Sequence, residues 1–230
     1  MGRARDISKV FSTNTALATD SEISAFNYLT QSSASTVYQT KATAGLTLIT
    51  PTSIANTSGT ASIGANGTIT FSGASTISLN GVFSSTYDNY RLIFTTTSNT
   101  ASGYINLRLR SAGTDVTAGN YFSSVAQAAY GSTAIGNDNG GNSQTTWNRF
   151  GYYDGTTDAY ASSGDVLLPF VSAFTSFNAA KARSGYGSEF ATGVYKATTS
   201  VDGITIYSAG NFTGTLSVYG YNKWSGIKEI

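Results

Sequence analysis

Two patterns of apolar and polar positions run along the chain, and they meet near residue 45. Before it, apolar residues recur at helical spacing. Thr19 or Asp20 supplies an N-cap, and Glu22 puts an acid in the first turn. Ile23, Phe26, Tyr28 and Leu29 form a short apolar face, followed by Ala34, Val37 and Tyr38. The Ser-rich stretch 31–36 between them lowers helix propensity. The pattern predicts a helical segment over 20–45 that is too weak to stand without a partner surface.

After Gly45 the period becomes two. Leu46 to Ile49, Thr68 to Phe71 and Thr76 to Leu79 alternate apolar with small polar residues. Tyr90 to Phe94 and Tyr104 to Arg110 do so more strongly. Further strands are predicted at Tyr121 to Ala128, Thr145 to Tyr153, Val166 to Phe170, Phe190 to Lys196, Ile204 to Tyr207 and Thr215 to Tyr221. The runs are rich in Ile, Val, Thr, Tyr and Phe and are separated by Gly, Asn, Asp and Ser turns. This predicts a mainly β fold, an antiparallel β-sandwich of jelly-roll-like size, preceded by a short N-terminal helical segment. The chain divides into 1–19, 20–45 and 46–230. The Gly- and Asn-rich stretch 131–143 is expected to be a long exposed loop.

Composition narrows the chemistry. The 230 residues include no Cys and no His. That removes disulfides, a thiolate nucleophile, Cys- or His-ligated metal, an imidazole base and a Ser-His-Asp triad. With 13 Lys and Arg against 12 Asp and Glu, the net charge of +1 leaves no footprint for duplex nucleic acid. The longest apolar run, Val166 to Val171, is interrupted by Pro169 and is too short to span a bilayer. Neither a Gly-Lys-Ser/Thr loop nor a Gly-x-Gly-x-x-Gly unit is present, so no cofactor is expected.

Four groups of residues remain. Asp154 and Asp158, close to Asp165, could be paired carboxylates, although Asp-Gly and Thr-Asp also read as turns. Asn137 to Gly140 lacks the alternating acids and closing Glu of a calcium loop, so no metal is assigned. Arg91, Arg108 and Arg110 could form a basic patch or serve as solvated strand residues and intersubunit ion pairs. Trp147, Tyr152, Tyr153 and Tyr160 could stack on sugar rings or anchor a protein partner. Core and cross-strand packing is the competing reading, and alternation sends Tyr152 and Tyr153 to opposite faces.

The opening Arg3 to Val10, then Ala18 to Glu22 and Ser32 to Lys41, resembles N-terminal segments of tailed-bacteriophage virion appendage proteins. These include tail-fibre-like proteins of marine and cyanobacterial phages. Ile77 to Phe83, Tyr87 to Phe94, Leu107 to Arg110 with Gly113-Thr114, and Gly214 to Lys223 resemble the same group. The resemblance implies a non-enzymatic homotrimer located in the virion and assembled in the host cytoplasm. Arg3, Arg5, Ile7, Val10 and Phe11, within 1–19, would anchor it to a portal, a tail adaptor or the major capsid protein. Ile23, Phe26, Leu29 and Val37 would trimerise, and the β domain would be displayed toward a host surface glycan. A capsid decoration or cement protein is the nearest alternative. A polysaccharide depolymerase using Asp154, Asp158, Asp165 and Glu189 is a third, opposed by the short length and the missing β-helix repeat.

Overall fold

The computed structural model describes residues 45–96, 102–129, 131, 135–153, 159–183 and 187–223. The anchoring and helical expectations, on residues 1–19 and 20–44, lie outside them. The described residues contain no helix. They form fourteen strands: β1 (Leu46–Ile49), β2 (Ser53–Thr57), β3 (Thr60–Ile63), β4 (Ile69–Asn80), β5 (Asn89–Thr96), β6 (Gly103–Ser111), β7 (Thr114–Asp115), β8 (Tyr121–Ala128), β9 (Ile135–Gln144), β10 (Trp147–Tyr153), β11 (Tyr160–Leu167), β12 (Thr175–Arg183), β13 (Gly187–Tyr195) and β14 (Gly203–Tyr221).

All the pairings are antiparallel, and the strands make one continuous sheet with the path β10-β6-β14-β5-β11-β12-β13-β8-β9. The mainly β, antiparallel expectation therefore stands, and the strands join in a single network. The reason is that β4 and β14 are each longer than the sequence pattern suggested. Thr68 to Phe71 and Thr76 to Leu79 belong to one strand, and so do Ile204 to Tyr207 and Thr215 to Tyr221. The first part of β14 pairs with β6 and the second part with β5, while β4 follows it along both.

Between the two parts the register shifts at Tyr207/Phe212 and Phe212/Gly214, and both strands bend. The alternation of β4 is interrupted at the same place: Ala74 is buried out of step with Ile69 and Phe71 before it and with Ile77 and Leu79 after it. Gly214 permits the bend, because a Cβ there would sit 1.8 Å from the Thr95 carbonyl oxygen. The β2–β3 hairpin turns on Ser58 and Gly59, both at positive φ, as a two-residue primed turn requires.

One buried core includes residues from both sides of the bend. Trp147 of β10 stacks on Phe177 of β12 with centroids 4.8 Å apart, and Phe71, Phe94 and Phe212 pack around the bend. Aromatic pairs at such separations add to the free energy of area burial. The first and last strands lie side by side, Leu46 opposite Tyr221, and the Asn222 amide donates to the Gly45 carbonyl at 3.0 Å. The 84–88 turn joins the same end of the sheet, through Lys223 to Asp88 at 2.8 Å and to the Ser85 carbonyl at 3.1 Å. So does the 168–174 loop, through the Leu168 amide to the Asp88 carbonyl at 2.8 Å.

Candidate functional site

Two places combine polar and aromatic chemistry. The first is internal. Lys181 of β12 and Glu189 of β13 face each other in register, and neither side chain has exposed surface. The ammonium lies 3.1 Å from one carboxylate oxygen and donates to the Arg149 carbonyl at 2.5 Å. Tyr104 donates to the other carboxylate oxygen at 3.2 Å, and the Arg149 guanidinium lies 3.8 Å from it. That guanidinium also sits 4.3 Å above the Tyr104 ring. Arg149 adopts φ 60, a left-handed conformation, within the irregular stretch of β10 between Trp147 and Gly151. The irregularity brings its carbonyl within reach of the buried ammonium. Strand polarity did not reveal this group, because Lys and Glu in a strand ordinarily point to solvent.

The aromatic set expected to bind a partner divides. Trp147 and Tyr153 are buried, and Tyr152 nearly so. Trp147 is enclosed by Tyr121 and Phe177, while Tyr153 bonds to Ser208 at 2.7 Å and packs near Phe212. Their faces are taken up by the core, so stacking on a ligand is corrected to packing for these three residues. Tyr152 and Tyr153 are consecutive residues in regular register with β6 and meet different neighbours, Tyr104 and Tyr160 for the first and Phe212 and Ser208 for the second, and both are buried. Tyr160 remains half-buried against Tyr152, with centroids 5.3 Å apart. The stretch 131–143 is likewise corrected. Most of its backbone is strand β9, paired with β8 through two register shifts.

The arginines are not one patch. Arg108 and Arg110 both pair with Asp115, at 3.2 Å for Arg108, and Arg110 also bonds to Asn80 at 2.9 Å and to Thr205 at 3.0 Å. Arg91 instead pairs with Asp165 at 3.3 Å, and Tyr221 donates to the same Asp165 oxygen at 2.7 Å. Burial of Tyr221 and the neighbouring Asp165 charge raise the phenol pKa above its ordinary value. Asp165 faces outward on β11, whereas Glu189 faces the core on β13, so these two candidate acids lie on opposite faces of the sheet. Asp154 and Asp158 lie outside the described residues. Among the described residues, no three acidic, His or Cys side chains cluster as a metal would need.

The second place is a groove of about 360 Å³ on the outer face of β5, β11, β12, β13 and β8. Register explains it. Ser163, Ala180, Phe190 and Ala126 form one cross-strand row, and Arg91, Asp165, Asn178, Thr192 and Ser124 form the next. Phe190, 58% exposed, stands between two alanines too short to cover its ring. A lone Phe in an alternating strand gives no sequence signal for this, because its neighbours come from strands distant in the chain.

No known protein family matches the chain, and no curated protein does. Solved structures give faint likenesses. A protein of unknown function from Shewanella oneidensis MR-1 aligns over 95% of this chain and all of its own, at 11% identity and TM-score 0.34. The CBM2 module of the evolved Dit of Lactobacillus casei BL23 phage J-1 aligns over 78% of this chain and 97% of its own, at 12% identity and TM-score 0.34. Domain 4 of AbnA, a GH43 extracellular arabinanase from Geobacillus stearothermophilus solved with arabinotriose, aligns over 74% and 83%, at 12% identity and TM-score 0.31. Scores of this size assign neither a fold nor an activity to this chain.

Proposed function

We propose that the chain is a structural protein of a tailed-bacteriophage virion, a trimeric tail-fibre-like appendage. Its N-terminal segment docks on the portal, the tail adaptor or the capsid, and its β domain is displayed for contact with the host surface. The observation that carries this reading is the placement of the first and last residues of the β domain. Gly45 and Asn222 are hydrogen-bonded neighbours, so the β domain begins and ends at one place, as a domain carried by a flanking segment requires. The sequence resemblance supplies the virion context. A non-enzymatic role fits the acids that can be described, since Asp165 is held by Arg91 and Tyr221, and Glu189 by Lys181.

Deleting residues 1–19 tests the assignment. The shortened protein is expected to remain a folded trimer and to be absent from purified particles. Normal incorporation would defeat the docking role, and a monomeric full-length chain would defeat the trimer. Counting copies in the intact particle separates the two locations, since hundreds per virion would mean capsid decoration and tens or fewer a tail appendage.

A further inference from the structure

We propose that the groove on the outer face of β5, β11, β12, β13 and β8 is a binding subsite for a neutral pyranose ring of a saccharide. This rests on the reading of the domain as displayed, and it moves the contact away from the buried Trp147 and Tyr153 to residues centred on Phe190.

Shape comes first. A pyranose has one face of C–H groups and an edge of hydroxyls. The groove has the matching division, because alternate rows of the sheet carry different chemistry. One row offers the exposed Phe190 ring, with Ala180 and Ala126 beside it and Ser163 beyond. The electron-rich face of an aromatic ring packs well on polarised C–H groups. The adjacent row, two residues along each strand, places Arg91, Asn178, Thr192 and Ser124 in the lining of the same groove. The volume of about 360 Å³ lies within the range that ligand pockets occupy.

The polar row also has capacity to spare. The Arg91 Nε lies 3.3 Å from Asp165 as an ion pair, and among the described residues its terminal nitrogens meet no protein acceptor. The Asn178 amide has no protein hydrogen bond among the described residues. Together they present donors and an acceptor along one line, as adjacent hydroxyls require.

Charge decides the class of sugar. Arg91 is the cation in the groove lining, and Asp165 offsets it at 3.3 Å. An acidic sugar would approach a charge already neutralised and would have the Asp165 carboxylate close by. A neutral polyol meets no such opposition and can both donate and accept. The few polar groups on an apolar floor then set its orientation, as in other small-ligand sites.

The test uses the full-length protein on an array of neutral oligosaccharides of glucose, galactose and mannose, printed beside uronate-containing and sialylated ones. Hits are then titrated by calorimetry. A neutral oligosaccharide is expected to bind. Phe190→Ala should weaken binding at least tenfold, Ala180→Leu should abolish it by filling the floor, and Asn178→Ala should weaken it by a smaller factor. All three positions face outward, and unchanged urea midpoints would show that the variants fold. The proposal is overturned if no neutral oligosaccharide binds, if only acidic ones do, or if the Phe190 and Ala180 variants bind as well as the parent. A protein that enters particles yet binds no neutral saccharide removes this inference alone. One that binds saccharide yet is absent from particles removes the virion reading alone.

Discussion

The Lys181–Glu189 pair raises the sharpest energetic question at the scale of the residue. Two charges without exposed side-chain surface have lost their hydration, and their mutual attraction offsets that loss only with good geometry and further hydrogen bonds. Here Tyr104 and the Arg149 carbonyl supply such bonds. Glu189→Ala should therefore cost about 3–5 kcal/mol, because it leaves a buried ammonium without its counter-charge. Replacing both partners with apolar residues of similar size, Lys181→Met with Glu189→Leu, should recover more than half of that loss. Urea unfolding of the parent, Lys181→Met, Glu189→Leu and the double variant measures the coupling. A Glu189→Ala cost under about 1 kcal/mol would mean that the pair is solvated in solution. The pair was not legible in the sequence. The period-two pattern says which positions share a face but not which face is inside, and Lys181 and Glu189 are polar residues on the inner one. The same limit accounts for Trp147, whose ring neighbours in the core come from two other strands, β8 and β12.

At the scale of the element, the β6–β7 hairpin shows how one side chain fastens a strand. The Tyr121 hydroxyl of β8 accepts from the Leu109 amide at 3.0 Å and donates to the Val116 carbonyl at 2.9 Å. It thereby ties β8 to both sides of the hairpin that holds Asp115 between Arg108 and Arg110. Burial pushes the phenol pKa well above its ordinary value, and burial raises Tyr90 in the same direction. The unfolded chain ionises these phenols near pH ~10, while the folded chain holds their protons. The unfolded state then binds fewer protons, so stability is fully present below about pH 10 and falls as pH rises above it. Tyr121→Phe should cost about 1–3 kcal/mol at pH 8 by stranding a buried amide and carbonyl. It should also make the alkaline loss shallower, which unfolding curves at pH 8 and pH 11 would register as a smaller parent-to-variant gap at the higher pH. A gap that stays constant or grows would refute the assigned proton linkage.

Elements were legible where large apolar or aromatic residues recur at alternate positions, as in β5 and β6. They were not legible where the strand is made of other residues. β12, Thr-Ser-Phe-Asn-Ala-Ala-Lys-Ala-Arg, has weak intrinsic strand preference, and β9 is mostly Gly and Asn. Both are strands because neighbours on the sheet satisfy their backbones, a tertiary effect that a local window cannot contain. β11 was displaced for a related reason. The expected strand at Val166 to Phe170 ends early, since Leu168 takes φ 55 and turns the chain toward β12. Its true start at Tyr160 is a run of Ala, Ser and Gly that alternates without large apolar residues.

At the scale of the whole molecule, the order of strands along the chain differs from their order in the sheet in one telling way. The last strand, β14, is central. It pairs with β1, β4, β5 and β6, and it runs through the bend that joins the two halves. The buried apolar core extends from Ile69 to Val218, wholly inside the compact unit Gly45–Trp224. Two truncations should therefore behave oppositely. A chain of residues 45–223 keeps every core residue and every strand pairing found among the described residues. It should give a β-type circular dichroism spectrum and one cooperative urea transition, with an extrapolated stability within about 15% of the full chain, the ordinary error of such extrapolations. A chain of residues 1–202 loses Ile204, Ile206, Phe212, Leu216 and Val218 together with the pairing partner of four strands. It should not fold, although it retains most of the length. Cooperative unfolding of residues 1–202 would show that β14 is an addition to a sheet that closes without it. A folded 45–223 beside an unfolded 1–202 would show that the sheet is completed only when its final strand arrives, the slow, long-range kind of closure that high contact order brings.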